Sequence, residues 1–193
     1  LQSIGDSTYK GLTLQLTRRF AAGFQFDLNY SVAKGEDNAP LTSTLSVQGD
    51  DGRSDPSNLD RDLGPNIMDT RHSFAGSIVA RPEYGGQNGA ARAILNNNQF
   101  GLMLQFNSGL PQNIRSNRDL NFDGILADRP LGVTRNSIYL PARYNVDFRY
   151  SRFIPFGASR RAEVLLELKN LFNNRQTSGI ARIVTTDVAG NPA

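Results

Sequence analysis

Residues 10–33 read KGLTLQLTRRFAAGFQFDLNYSVA, and apolar and polar side chains alternate through most of this segment. Alternation with a period of two places successive side chains on opposite faces of a β-strand. One face receives Leu, Phe, Tyr and Val side chains, and the other receives Thr, Gln, Asp and Asn. The sequence Ala21-Ala22-Gly23 separates two such runs, so the segment predicts a β-hairpin with one apolar and one polar face.

The same alternation returns later in the chain and predicts further strands. Each run holds about ten residues, which at a rise of about 3.3 Å and a tilt near 40° climb roughly 25 Å, the height of the apolar band of an outer-membrane barrel. The last run also fits an amphipathic helix, but its alternation favours a strand, and no helix is predicted elsewhere. The predicted strands lie near residues 9–20, 24–33, 72–81, 98–107, 143–153 and 161–171.

The composition removes several classes of protein. The chain has 193 residues, with 21 Lys and Arg against 18 Asp and Glu. It has no cysteine, which excludes disulfides, thiolate metal sites and thiol catalysis. No apolar run approaches the roughly 18 residues of a membrane-spanning helix. The basic residues are scattered and residues 34–70 are acidic, so a nucleic-acid partner is not expected.

The lengths of the connections indicate which kind of sheet the strands form. The connections span residues 21–23, 34–70, 82–97, 108–142 and 154–160, so shorter and longer ones alternate. Bacterial outer-membrane barrels have short periplasmic turns and long extracellular loops, whereas a compact soluble β domain seldom needs two structureless loops of such length. The sequence therefore predicts an all-β fold, an antiparallel up-and-down segment of a transmembrane barrel in the bacterial outer membrane, with lipid against its apolar face. Ligand specificity is expected in the two longest loops.

The exceptions to the alternation fall near the ends of the predicted strands. Four polar residues interrupt the apolar face, namely Lys10, Arg18, His72 and Arg152. Near a membrane interface a long cation reaches the head groups and avoids the cost of about 2–4 kcal/mol that it has in hydrocarbon. The aromatic residues of this face form two groups that resemble the girdles of a barrel: Phe20, Phe24, Phe100 and Tyr150 toward the short turns, and Tyr30, Phe74, Phe106 and Tyr144 toward the long loops.

Six strands do not close a barrel, because the smallest single-chain barrels have about eight, and open edges in lipid would leave backbone groups unpaired. The chain begins with Leu1 rather than Met and shows no signal-like segment. We therefore expect a fragment of a larger barrel, whose open edges aggregate in water without the missing strands.

Seven short motifs follow one another along the chain. They are Asp55-Pro56-Ser57-Asn58-Leu59, Asp62-Leu63-Gly64-Pro65, Asp69-Thr70-Arg71-His72-Ser73-Phe74, Ser108-Gly109-Leu110-Pro111, Asp119-Leu120-Asn121-Phe122-Asp123-Gly124 with Asp128-Arg129-Pro130, Arg135-Asn136-Ser137, and Leu168-Lys169-Asn170-Leu171-Phe172-Asn173. This ordered set resembles TonB-dependent outer-membrane transporters of the Oar-like kind from Gram-negative bacteria. The resemblance covers roughly residues 8–178.

That resemblance implies a large barrel closed around an N-terminal plug domain. Such a barrel takes up a ligand across the outer membrane with energy relayed by TonB. The chain holds no plug, no TonB-contacting segment and no final strand with a C-terminal aromatic residue, in line with the expected fragment.

One loop carries oxygen donors at the spacing of a calcium site. Asp119, Asn121 and Asp123 alternate along the chain and a glycine follows, like the start of an EF-hand loop. A proline stands at the twelfth position in place of the usual glutamate, and the nearest carboxylate is Asp128. We predict these four residues as candidate calcium ligands. The alternative is a network of Asx turns in an exposed loop.

The polar face carries charges of both signs. The favoured interpretation is ordinary cross-strand pairing, and the alternative is a wall that contacts a solute or the plug. The residues are Arg19, Arg71, Arg81, Arg143, Arg149, Arg161 and Lys169, with Asp27, Asp147, Glu163 and Glu167.

Catalysis has little support in the sequence. His72 is the only histidine, so no two-histidine metal site forms, and no Gly-x-Ser-x-Gly or phosphate-binding glycine motif is present. Asp69 lies close to His72 in sequence, but His72 is expected at the lipid rim. No enzyme activity is therefore expected.

The alternative to a transport barrel is a secreted β-rich calcium-binding adhesion or ligand-binding module.

Overall fold

The structure, a computed structural model, describes residues 5–38, 53–55, 58–124, 126–156 and 160–192. Strands dominate these residues, together with one 3₁₀ turn at Leu59–Asp62 and one short helix, α1, at Gly89–Leu95. In chain order the strands are β1 Ser7–Ala21, β2 Phe24–Asp37, β3 Gly64–Pro65, β4 His72–Ala80, β5 Asn98–Asn107, β6 Pro111–Gln112, β7 Arg115–Ser116, β8 Ile138–Tyr139, β9 Arg143–Phe156, β10 Arg160–Leu168 and β11 Ile183–Val184.

The six long strands form one antiparallel sheet in the order β1, β2, β4, β5, β9, β10, and β3 pairs with the end of β2. Each long strand lies beside the next long strand along the chain, which is the predicted up-and-down order. The remaining short strands form two small ladders, β6 with β8 and β7 with β11. The predicted all-β fold is confirmed. Among the described residues, no helix is both long enough and apolar enough to cross a membrane.

The register between neighbouring strands places the predicted apolar residues on one side of the sheet. Leu14 lies opposite Tyr30, and Tyr30 lies opposite Phe74. We call this side the apolar face. The alternate residues form the polar face, where Thr13 Oγ1 and Ser31 Oγ are 2.9 Å apart across two strands. A slip of one residue would exchange the two faces of a strand, so the alternation fixes the register.

The two ends of the sheet differ. β1, β4 and β9 end at one end of the sheet, the short-turn end, and β2, β5 and β10 end at the other, the long-loop end. Most of the fully buried side chains among the described residues are polar and lie in the connections at the long-loop end, with Ser151 on β9 as an exception. By contrast, Leu12, Leu14 and Leu16 on β1 are 57%, 58% and 60% exposed. Because large apolar side chains are exposed on the apolar face, that face needs an apolar environment in contact with it.

A β-bulge near the end of β1 corrects the prediction for Phe20. The register between β1 and β2 shifts between Arg18 and Ala21, so one extra residue enters β1 there. Because the side-chain period is two, the extra residue turns Phe20 to the polar face. There the guanidinium of Arg81 lies 5.7 Å from the centre of its ring. The prediction that Phe20 belongs to the aromatic girdle of the apolar face is therefore wrong.

The expectation that no helix forms is also wrong, because α1 occupies part of the connection between β4 and β5. Asn88 caps its first turn, since the side-chain oxygen of Asn88 accepts the N–H of Ala91 at 3.1 Å. The helix has seven residues. A helix of two turns is too short for hydrophobic periodicity to reveal it.

Several strand boundaries differ from the predicted ones, two of them for clear reasons. β2 continues to Asp37, because β1 pairs with it as far as Ser7 opposite Asp37, and β3 pairs with its last two residues. β10 ends at Leu168, because Asn170 has a φ of 49° and its N–H donates to Asp147 Oδ1 at 2.8 Å. The two longest connections are also not structureless, since they contain the two-residue strands β3, β6, β7 and β8.

Candidate functional site

Three segments of the chain meet at the long-loop end. The described residues of 38–71, 108–142 and 169–192 together are called the loop cap. Its last segment joins the middle one through β11 and β7, where Arg115 N–H donates to Arg182 O at 2.9 Å. Farther along, Leu131 N–H donates to Gly190 O at 2.8 Å. The middle and last segments of the loop cap are therefore joined to each other by backbone hydrogen bonds.

Two buried ion pairs tie the first segment and the end of β2 to the middle segment. Arg129 and Asp62 lie 2.9 Å apart, with side chains 3% and 0% exposed, and Arg135 pairs with Asp37. A buried charge is costly unless it is paired and hydrogen-bonded. Further hydrogen bonds support the two pairs, because Asp62 also accepts the N–H of Ser54 at 3.2 Å and Arg135 also donates to Asp62 O at 3.3 Å. Charged side chains thus form much of the interior of the loop cap.

The predicted calcium ligands lie in the loop cap, and their oxygens bind groups of the chain itself. Asp119 accepts the N–H groups of Asp123 and Gly124 at 3.2 and 2.8 Å, and Asn121 accepts Asp123 N–H at 3.1 Å. Asp128 accepts Asn121 N–H at 3.2 Å. These contacts form an Asx-turn network, and the described residues contain no group of three or more His, Cys, Asp or Glu side chains that would hold a metal. Calcium binding by this loop stays a prediction.

Thr186 secures the last segment of the loop cap. Its Oγ1 lies 2.6 Å from Ser116 Oγ, and both residues are 1% exposed. We expect Thr186→Val to destabilise this contact by roughly 1–3 kcal/mol, because a buried hydroxyl loses a partner. Amide exchange over Ile183–Val184 measures the effect, and Thr186→Ser, which keeps the hydroxyl, is the control. If the amides of Ile183 and Val184 exchanged no faster in Thr186→Val than in Thr186→Ser, the Thr186 hydroxyl would not be what secures this segment.

Asp187 closes the turn that follows. Hydrogen bonds from the side chain of Asn191 and from backbone N–H groups hold the pKa of Asp187 below its ordinary value of 3.8. A carboxylate whose pKa is lowered by folding stabilises the fold above its ordinary pKa, and this contribution is lost as the pH falls through the folded-state pKa.

The protection factor of the Asn191 amide tests this linkage, since that N–H donates to Asp187 Oδ1 at 2.9 Å. We expect the protection factor to fall only below pH 3.8, and we expect Asp187→Asn to remove this dependence. A fall that already begins near neutral pH would contradict the assignment.

A cavity of about 390 Å³ opens on the polar face, where β1 and β2 reach the loop cap. Tyr9 forms one wall and lies opposite Gly35. Its ring also covers Gly11, where an added Cβ would meet Tyr9 Oη at 3.0 Å. The two glycines let the ring lie against the sheet, although Tyr9 stays 75% exposed. The other residues around the cavity are Ser7, Thr8, Ser31, Ala33, Asn66, Met68, Asp69, Thr70 and Ser73.

Asp69 is the buried acid of this cavity. It accepts Gly35 N–H at 2.8 Å and an N–H of Arg71 at 3.1 Å, and this second bond is the main reason why the pKa of Arg71 is raised. His72 instead has its Nδ1 2.8 Å from Tyr30 Oη on the apolar face. Asp69 and His72 therefore have different partners and do not form a catalytic dyad.

Several charged groups on the polar face bond to neighbouring strands. Arg149 lies 3.6 Å from Glu163, a cross-strand ion pair between β9 and β10 of the kind that the sequence favours. Asp27 has neutral partners, among them Thr17 Oγ1, which donates to Asp27 at 2.7 Å. Much of this face is therefore satisfied within the sheet.

Arginines and aromatic rings alternate on the polar face at the short-turn end. The guanidinium of Arg81 lies 5.7 Å from the ring centres of both Phe20 and Phe153, and that of Arg161 lies 5.0 Å from the ring centre of Phe153. Such contacts contribute about 0.5–2 kcal/mol each. The alternation predicts the arginines on this face but not their contacts with aromatic rings, because Arg81 lies far from Phe20 and Phe153 in the chain.

The up-and-down sheet, its apolar and polar faces and the loop cap are those of an outer-membrane barrel wall. Comparison with protein families agrees: the outer membrane beta barrel domain family matches residues 1–134. The chain belongs to this family, and its location is the bacterial outer membrane, where lipid surrounds it. No curated protein and no solved structure matches it. The family favours the membrane barrel over a secreted adhesion module.

Proposed function

We propose that the chain is part of the barrel of a TonB-dependent outer-membrane receptor, which takes up a solute past an N-terminal plug domain. Membership of the outer-membrane barrel family supports the barrel, and the ordered motifs of the sequence support the TonB-dependent class. Several residues of those motifs have structural roles in the loop cap, including Asp62, Arg129 and Arg135. In this proposal the long loops face the outside of the cell and the short turns face the periplasm.

The cavity beside Tyr9 carries the binding role. Its volume of about 390 Å³ is within the usual range for small-molecule sites, about 300–1,000 Å³. An exposed aromatic ring beside hydroxyl and amide groups offers both a stacking surface and hydrogen bonds. Because the cavity lies where the polar face meets the loop cap, a solute that enters from outside meets it before the rest of the polar face.

The first test compares two strains, one without the gene and one without TonB, on a panel of nutrient sources. We expect both strains to lose uptake of the same solute. A solute that the first strain loses and the TonB-deficient strain still takes up would contradict TonB dependence.

A second test uses two residues on opposite faces of β1. Tyr9→Ala is expected to lower uptake of that solute, because it removes the stacking surface of the cavity. Leu14→Ala lies on the apolar face, so it is expected to leave uptake unchanged at equal amounts of protein in the outer membrane. Equal uptake by the two variants would show that the cavity is not a contact site.

A further inference from the structure

Helix α1 lies at the short-turn end, and none of its side chains packs into a protein core. None of its seven residues is buried, and Ile94 and Leu95 are 69% and 48% exposed. A helix of this length is unstable in water by itself, because nucleation is costly and few hydrogen bonds follow. Its stability must therefore come from contacts beyond its own backbone.

Side chains of the apolar face hold the C-terminal end of α1. Asn98 donates to Ile94 O at 3.0 Å and to Leu95 O at 2.7 Å. Arg152 donates to Ile94 O at 2.9 Å and to Asn96 O at 2.6 Å, so a cation meets the carbonyl end of the helix. The carboxyl end of α1 therefore lies on the apolar side of the sheet.

The same contacts join α1 to the aromatic residues at this rim. Asn98 lies directly opposite Arg152 in the β5–β9 pair. Phe100 lies opposite Tyr150, two residues farther along each strand from the short-turn end. Tyr150 Oη donates to Asn98 Oδ1 at 2.8 Å. The side chain of Asn98 therefore connects the helix to the lipid-facing band that the barrel family establishes.

The sequence of α1 is amphipathic at helical spacing. At about 100° per residue, the side chains of Ala90, Ala91, Ile94 and Leu95 fall within an arc of roughly 140°, and Arg92 falls outside it. An apolar arc flanked by a cation suits a helix that lies in the plane of a membrane interface.

We propose that α1 is an interfacial helix that inserts Ile94 and Leu95 among the acyl chains of the membrane leaflet at the short-turn end. Arg92 faces the head groups. Arg152 offsets its charge with the helix carbonyls and holds the helix at the rim. The occupant of this apolar surface is lipid, because the surface continues the lipid-facing band and is fixed to it by Asn98 and Arg152.

The test is fluorescence quenching in the full-length protein reconstituted in bilayers that contain brominated phospholipid. The chain has no cysteine, so a bimane label is introduced through Ile94→Cys, Leu95→Cys or Arg92→Cys. Leu14→Cys on the apolar face is the lipid reference, and Val188→Cys in the loop cap, at a residue 84% exposed, is the aqueous reference. Aqueous iodide is the second quencher.

We expect labels at positions 94 and 95 to be quenched by brominated lipid as in the lipid reference. The label at position 92 should respond to iodide, as in the aqueous reference. Iodide quenching at all three positions would overturn the proposal, because the helix would then lie in water. Protection of positions 94 and 95 from both quenchers would also overturn it, because a protein surface would then cover them.

Discussion

Replacing Arg129 by alanine is expected to destabilise the loop cap by about 3–5 kcal/mol. The substitution leaves the carboxylate of Asp62, which is 0% exposed, without its cation. The remaining bond from Ser54 N–H, at 3.2 Å, does not compensate a buried charge. Amide exchange across residues 115–131 of the full-length protein in bilayers measures the free energy of opening.

Lys34→Ala is the matched control for this experiment. Lys34 pairs with Glu36 at 2.8 Å near the end of β2, but the two side chains are 50% and 41% exposed. An exposed ion pair contributes about 0–1 kcal/mol, so the control should differ little from the parent protein. If Arg129→Ala opened the loop cap no more than Lys34→Ala, the buried ion pair would not be what holds the segments together.

The second large effect is expected from a charge on the apolar face. Leu102 lies in the middle of β5, opposite Ile78 and Phe148, which belong to the same face. Leu102→Arg is expected to cost about 2–4 kcal/mol in free energy of unfolding, because the guanidinium enters the hydrocarbon far from either interface. Unfolding of the full-length protein from lipid vesicles by guanidinium chloride measures this cost.

Met103→Arg is the control at the next residue along the strand. Met103 lies on the polar face, is 52% exposed, and faces Ser77 and Asp147 across the neighbouring strands. An exposed substitution away from packed groups usually changes stability by about 0.5 kcal/mol or less. Equal costs at the two positions would mean that the two faces meet the same environment.

The centres of the long strands were predictable because a period of two depends on residues close in sequence. Leu14, Phe26 and Leu104 share one face in the sheet as the alternation requires. Phe20 shows where prediction from the alternation fails. One inserted residue reverses the parity of all that follow it until the strand ends, and the sequence around Arg18 and Arg19 carries no clear sign of a bulge.

The loop cap was harder to predict, because its contacts are long-range. The acidic character of residues 34–70 was visible, but nothing local shows that Asp37 pairs with Arg135 or that Asp62 pairs with Arg129. The position of residues 169–192 against β7 also depends on distant partners. For the ion pairs of the loop cap, the order of the motifs was the one signal in the sequence, since Asp62, Arg129 and Arg135 all lie within those motifs.

Helix α1 was missed for a different reason. Its apolar arc covers only seven residues, which is too short a segment for periodicity to distinguish a helix from a loop, and the side chain that fixes its carboxyl end, Arg152, comes from β9. In the sequence Arg152 is an interruption of the apolar face at a strand end. The structure gives that interruption a partner in the helix carbonyls.

A nitroxide scan of β5 is the most direct test of whether the two faces of this sheet meet different media. Single spin labels at residues 99–106 of the full-length protein in bilayers report collisions with oxygen, which concentrates in hydrocarbon. We predict maxima at Phe100, Leu102, Leu104 and Phe106 and minima between them. A profile without period two, or one with its maxima at the odd-numbered positions, would contradict the account.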